Sequence, residues 1–430
     1  MHVDAHLDIN VVPLDQDDTV TVLVEIKAPD PDPAADRPPA TLEVVLDRSG
    51  SMAGGRLAGA QRALLALVDR LAPADNFGLV SFDQNARVEV AAAPLTNKDD
   101  VRRRIAALVP GGTTDVSSGL LRGIQEARRA SADKGATLLL ISDGHANVGI
   151  VDHGRLGAIA RSGREHGVTT TTLGYGLGYD EELMIAIAEG GAGNALHAED
   201  PDTAGQLIAA EIDGLLAKVA QAASLTIRPR PPVESVFVYG GLPGTRLPDG
   251  SIMVELGDFY AGETRKVLLR FAVPGMSTLG VATIAELAFT HVESASLTGY
   301  THTVPVAVNV VPGDEAAGRV PDPVVRAERL FQEAQDAKRQ AAEALRRGDL
   351  ATAQRLLNSA GDALEAGLSW APDAQAAELA TEARNLRRYA AEAAADQNRV
   401  SKQVTADWYG QSRKRGRYQV TDGDDDRDQK

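Results

Sequence analysis

Hydrophobic and polar residues alternate with a period of two through HVDAHLDINVV and again through TVTVLVEIKA, with the charged, turn-forming LDQDD between them. Side chains of a strand point alternately to opposite faces, so this pattern predicts a β-hairpin over residues 3–27. The following PDPDPAADRPP is too rich in proline and aspartate to join a ladder and predicts a linker, which closes an N-terminal segment of residues 1–40. From residue 41 to 218 the texture changes. Apolar runs such as TLEVVL, NFGLVSF and ATLLLIS alternate with helical patterns such as RLAGAQRALLALVDRLA and VSSGLLRGIQEARRA. That alternation predicts a doubly wound, mostly parallel sheet covered by helices on both faces. The runs at 42–46 and 137–141 are nearly unbroken in apolar residues, as strands buried on both faces must be, and should lie side by side in mid-sheet.

Residues 219–312 read as short strands separated by Gly and Pro turns, the pattern of a β-sandwich. A two-stranded hairpin is marginal alone, so residues 1–40 are expected to complete this sandwich and make the α/β unit an insertion in it. Residues 323–400 give three helices rich in Ala, Leu, Glu, Arg and Gln, broken at Gly348-Asp349 and Ala371-Pro372, which predict a small helical bundle. The segment 401–430 carries the basic cluster Arg413, Lys414, Arg415 and Arg417, followed by an acidic stretch from Asp422 to Asp428. Like-charge blocks without apolar partners predict a disordered tail. The fold class is thus α/β: a doubly wound sheet inserted in a β-sandwich and followed by a C-terminal α-helical bundle.

Charge and composition narrow the chemistry. A formal net charge of -16 over 430 residues repels nucleic acid and anionic lipid, so neither is an expected partner. The absence of cysteine removes disulfides, thiolate metal sites and thiol nucleophiles together. Asp4 and Asp8 interrupt the stretch a signal peptide would need, and no later run is apolar enough to span a bilayer, which predicts a cytoplasmic protein. The excess of Arg over Lys and the abundance of Ala fit a bacterial, GC-rich genome.

Directly after the first central run comes DRSGSM, residues 47–52. Alone a D-x-S-x-S string is weak, but its place gives it weight: a loop leaving the carboxyl end of a central strand is where open α/β sheets bind ligands. GGTTDVSSGL at 111–120 opens a helix from a Gly-rich loop, and ISDGHAN at 141–147 ends the second buried strand. The set resembles the metal-ion-dependent adhesion site of von Willebrand factor A domains, over residues 41–218. That resemblance implies a divalent-metal site with Asp47, Ser49 and Ser51 from the first loop, Thr114 from the second and Asp143 from the third. The same resemblance implies Thr114 and not Thr113, because the family's spacing from this Thr to a following Gly-Leu pair fits Gly119-Leu120. Such hard oxygen donors suit Mg²⁺, or Mn²⁺ in its place. A site built largely from neutral hydroxyls leaves positive charge on its ion for an Asp or Glu of a protein partner.

Asp115 is expected to favour the following helix N-terminus, and His145 to be a solvated loop residue. GYGLGY at 174–179 lacks the third spaced glycine of a dinucleotide site. No nucleophile elbow, P-loop or HExxH string occurs. The expected function is therefore a metal-dependent protein-binding module and not an enzyme. Similar bacterial proteins suggest as an alternative an adaptor for a MoxR-type AAA+ ATPase or a chelatase-like machine. A metal-assisted hydrolase, which would need a general base in reach, is the distant alternative.

Overall fold

In the computed structural model, which describes residues 1–30, 37–131, 134–143, 145–242 and 244–413, the strand Thr41–Asp47 runs through the middle of a sheet and every one of its residues is buried. Its neighbours are Asn76–Phe82 on one side and Ala136–Ser142 on the other, both parallel to it. Leu42 to Leu46 pair with Thr137 to Ile141 in register, so the two apolar runs do lie side by side. Ala86–Pro94 adds an antiparallel edge, and Val168–Tyr175 and Ala192–Ala198 extend the sheet in parallel on the other side. The chain first builds outward from Thr41–Asp47 in one direction and then returns to build in the other. The crevice between Thr41–Asp47 and Ala136–Ser142 is therefore the topological switch point of the sheet, where ligands of such folds bind.

Helices Arg56–Arg70, Lys98–Ala106 and Pro201–Leu216 cover one face, packing Leu64, Val68, Ile105 and Ile208 onto Leu42, Val44 and Leu46. Val116–Ser131, His153–Glu165 and Glu181–Gly190 cover the other, packing Leu120, Leu156 and Ile187 onto Val45, Leu138 and Leu140. Two of these helices cross at glycines. A Cβ on Gly190 would lie 2.0 Å from the Gly157 carbonyl oxygen, and backbone cannot yield as a side chain can. Gly190→Ala should therefore cost about 1–3 kcal/mol through forced separation of the helices, read as a lowered urea midpoint.

The sandwich has one sheet of His2–Leu7, Asp18–Lys27, Thr264–Val273 and Ser235–Val238. The other contains Gly244–Arg246, Ile252–Tyr260, Lys218–Pro229, Gly280–Glu293, Gly299–Val311 and Val11–Pro13. The two N-terminal stretches pair antiparallel, with His2 opposite Lys27, while Val11–Pro13 between them crosses to the second sheet. Val20, Val22, Val24 and Ile26 face the sandwich core with Phe259, Phe271 and Phe289. Leu23 points outward yet is fully buried, because Val325 of the helix Pro323–Arg346 packs over it beside Tyr239 and Leu268. The sandwich meets the base of the parallel sheet, where Thr169 donates to Asp258 (3.1 Å), Lys218 pairs with the same carboxylate (3.3 Å) and Arg164 pairs with Glu255. The opposite, carboxyl end of the sheet is left for the site.

The C-terminal helices Pro323–Arg346, Leu350–Gly367 and Asp373–Glu392 break where expected: Gly348 takes a φ of +75°, Asp349 caps the second helix, and Pro372 precedes the third. Residues 401–413 depart from expectation. Instead of belonging to a disordered tail they lie in a fourth helix, Gln397–Arg413. Val400 and Val404, at helical spacing, enter the bundle core, and Tyr409 packs on Ala188 and Ala195 of the α/β unit. The basic and acidic blocks from 414 onward lie outside the described residues.

Candidate functional site

Asp47 ends the central strand with its carboxylate buried, and both oxygens are engaged. Oδ1 accepts from the Ser49 backbone N–H (2.7 Å) and Oδ2 from the Ser142 hydroxyl (2.6 Å). Burial pushes the Asp47 carboxyl above the usual carboxylate range, against the opposing pull of those hydrogen bonds. The short turn Gly50–Met52 then seats Met52 in the core and brings Ser51 back over the strand end. Ser49 and Ser51 hydroxyls lie 3.0 Å apart, and Ser51 donates to Asp143 Oδ1 at 2.6 Å. Asp47, Ser49, Ser51 and Asp143 thus gather at the switch point in one hydrogen-bonded group.

The second loop is tied to the other two by backbone. Gly50 N–H donates to the Gly112 carbonyl (3.0 Å) and Gly111 N–H to the Arg48 carbonyl (2.8 Å). Thr114 N–H donates to the Asn147 side chain (2.9 Å), while its carbonyl receives Asn147 N–H (3.1 Å). Thr114 is buried between these loops and Thr113 is exposed. All five sequence-predicted site residues therefore belong to three loops that are bonded to one another at one edge of the sheet. Among the described residues no group of three His, Asp or Glu side chains offers a metal site; this cluster instead combines the Asp47 and Asp143 carboxylates with the Ser49 and Ser51 hydroxyls, and Thr114 joins it through its backbone bonds to Asn147.

Asp115 turns away from the cluster: Oδ1 accepts from Ser117 Oγ (2.5 Å) and Ser118 N–H (3.0 Å) at the start of Val116–Ser131. His145 stays largely exposed, 3.6 Å from Asp180, which His153 also meets at 3.1 Å. Several supporting residues were missed by sequence reasoning. Ser142 orients Asp47, although its place next to Asp143 at a strand end could have drawn attention. Arg48 pairs with Asp83, whose backbone carbonyl receives Asp115 N–H, so the first and second loops share a buried ionic anchor. Arg56 donates to Asp143 Oδ2 (2.7 Å) and to the Ser51 carbonyl (3.1 Å).

A doubly wound sheet carrying oxygen-rich loops at its switch point defines the class of the von Willebrand factor A fold. Residues 42–210 match the family model of the von Willebrand factor type A domain, so this segment of the chain carries a domain of that type. It is 33% identical to an uncharacterized protein of Synechocystis over 43% of this chain and 42% of that one. It is 30% identical to the uncharacterized protein YfbK of Escherichia coli over 55% of this chain and 42% of that one. The matches thus span less than half the length of these relatives. The solved von Willebrand factor type A protein from Catenulispora acidiphila shares the fold over 96% of each chain, with a TM-score of 0.72 at 15% identity. Among the described residues no helix is long and apolar enough to cross a membrane.

Proposed function

We propose that Asp47, Ser49, Ser51, Thr114 and Asp143 hold one divalent cation, Mg²⁺ or Mn²⁺, and that the protein uses it to bind an acidic side chain of a partner protein in the cytoplasm. The observation that carries this reading is the Asp47, Ser49, Ser51 and Asp143 cluster, drawn from separate loops onto the switch point with contacts of 2.6–3.0 Å. The donor chemistry fits the ion: carboxylate and hydroxyl oxygens are the hard ligands these cations take. When bound, the ion supplies a Lewis-acidic position for an anionic oxygen. The chain's own contribution is to fix the donors: Ser142 and the Ser49 amide hold the Asp47 carboxylate, and the Asn147 bonds hold Thr114.

A binding role is favoured over a catalytic one because the hydroxyls of Ser49 and Ser51 bond each other and Asp143, with no histidine against either among the described residues. Calorimetric titration with Mg²⁺ and Mn²⁺ should give one site per chain, lost in Asp47→Ala. A pulldown in Mg²⁺ should recover a partner that EDTA or Asp47→Ala releases, and an AAA+ ATPase among the recovered proteins would specify the adaptor role. Absence of uptake of either metal would overturn the proposal.

A further inference from the structure

Arg56 occupies a position that the helix it begins does not favour. It is the first residue of Arg56–Arg70, where the helix dipole prefers an anion, and no acidic residue or side-chain cap offsets it. Gly54 and Gly55, with φ of +74° and +104°, form the turn that delivers it there. Its guanidinium instead reaches across to the third loop, donating to Asp143 Oδ2 at 2.7 Å and to the Ser51 carbonyl at 3.1 Å. It also lies against the loop after Val168–Tyr175, where a Cβ on Gly176 would stand 3.3 Å from Arg56 Nε. The Asp143 side chain is wholly buried, whereas that of Arg56 is 42% exposed.

We infer that Arg56 is a built-in competitor for the divalent ion: its guanidinium neutralises Asp143 until the ion takes that carboxylate and displaces it. This inference rests on the metal-site reading above. Asp143 has both oxygens committed, Oδ1 to Ser51 and Oδ2 to Arg56, so a second cation can reach the carboxylate only by sharing or displacing the first. Like charges at that separation repel, and the exposed guanidinium is the one free to leave, because water can solvate it as it swings out. The buried carboxylate has no such choice. Arg56 thereby raises the ion concentration at which the site fills, while keeping the ion-free cluster from holding an uncompensated buried charge.

Titration calorimetry with Mg²⁺, on the full chain, tests this. Arg56→Gln should tighten the Kd about tenfold, and Arg56→Lys, which keeps the charge, should stay near the wild-type value. Thermal unfolding supplies a second reading. In EDTA Arg56→Gln should melt below wild type, and the gap should close in saturating Mg²⁺. An unchanged or weaker Kd in Arg56→Gln, beside normal uptake by wild type, would refute the competitor role alone. No uptake of Mg²⁺ or Mn²⁺ by either protein would remove the site itself and this inference with it.

Discussion

Lys338→Met is expected to destabilise the protein by about 3–5 kcal/mol, because it removes one member of a buried ionic network and strands the others. Lys338 lies on Pro323–Arg346 with no exposed surface and meets two carboxylates, Glu382 of Asp373–Glu392 and Asp407 of Gln397–Arg413, the latter at 2.5 Å. Gln335 donates to Glu382 (2.9 Å) and Tyr389 to Asp407 (3.2 Å). Burial works against the ammonium, but Asp407 and Glu382 outweigh it and hold the Lys338 pKa above the ordinary lysine range. Methionine fills similar volume and leaves two anions facing each other in the core. Urea unfolding at pH 7 should show the loss as a lowered midpoint. The triple variant with Glu382→Gln and Asp407→Asn should recover most of the stability, since replacing the whole network is far cheaper than breaking it. A loss below about 1 kcal/mol at pH 7 would show the network to be dispensable.

The same network reaches the α/β unit. Asp407 fixes one side of Gln397–Arg413, and the helix turns Lys402 to Glu181 and to the Tyr179 carbonyl (2.7 Å), with Tyr409 donating to the Gly193 carbonyl (3.2 Å). Tyr179 closes the loop whose Gly178 sits beside the Asp143 backbone. Lys338→Met should therefore also expose Gln397–Arg413 to proteolysis before the α/β unit unfolds.

These contacts show what a sequence can and cannot disclose. The central strands were legible because burial on both faces demands an unbroken apolar run, and the site loops because hard-donor residues recur at the ends of such runs. Gln397–Arg413 was not legible. Its buried face includes Ser401, Lys402, Thr405, Asp407 and Ser412, which read as solvent-facing until their partners are known. Those partners lie far away in sequence: Lys338 is 69 residues from Asp407, and Glu181 is 221 from Lys402. Arg56 escaped notice for the same reason, since its partner Asp143 stands 87 residues on. Only the hydrophobic face of a segment is written locally; a polar face that is buried is written in its complement.

Glu43 is the clearest case, and it carries the second large expectation. In TLEVVL it looks like one polar break in an apolar strand, yet it is fully buried and neither carboxyl oxygen finds a hydrogen-bond partner among the described residues. It fits the notch of Gly78 on the neighbouring strand, where a Cβ would come within 1.9 Å of Glu43 Oε2. Helix Val116–Ser131 above it carries Glu126, Arg122 and Arg129, and both arginines pair with Glu126 (3.1 and 2.8 Å). Burial, reinforced by the Glu126 charge and only partly offset by Arg129 and Arg122, pushes the Glu43 carboxyl from 4.5 up to about 9. The folded chain therefore holds a proton that the unfolded chain has released between those two values. Stability present below pH 4.5 is lost as pH rises through this window, at up to about 1.4 kcal/mol per pH unit. Glu43→Gln removes the titration while keeping the shape. At pH 5 the variant should match wild type closely, and at pH 8 it should be more stable by about 3 kcal/mol, within the upper limit that slope allows. Urea midpoints of the two proteins across pH 5 to 9 give the difference directly, because the remaining titrating groups are common to both. Parallel curves would mean that Glu43 ionises in the folded state as it does in water, and would overturn this account of its burial.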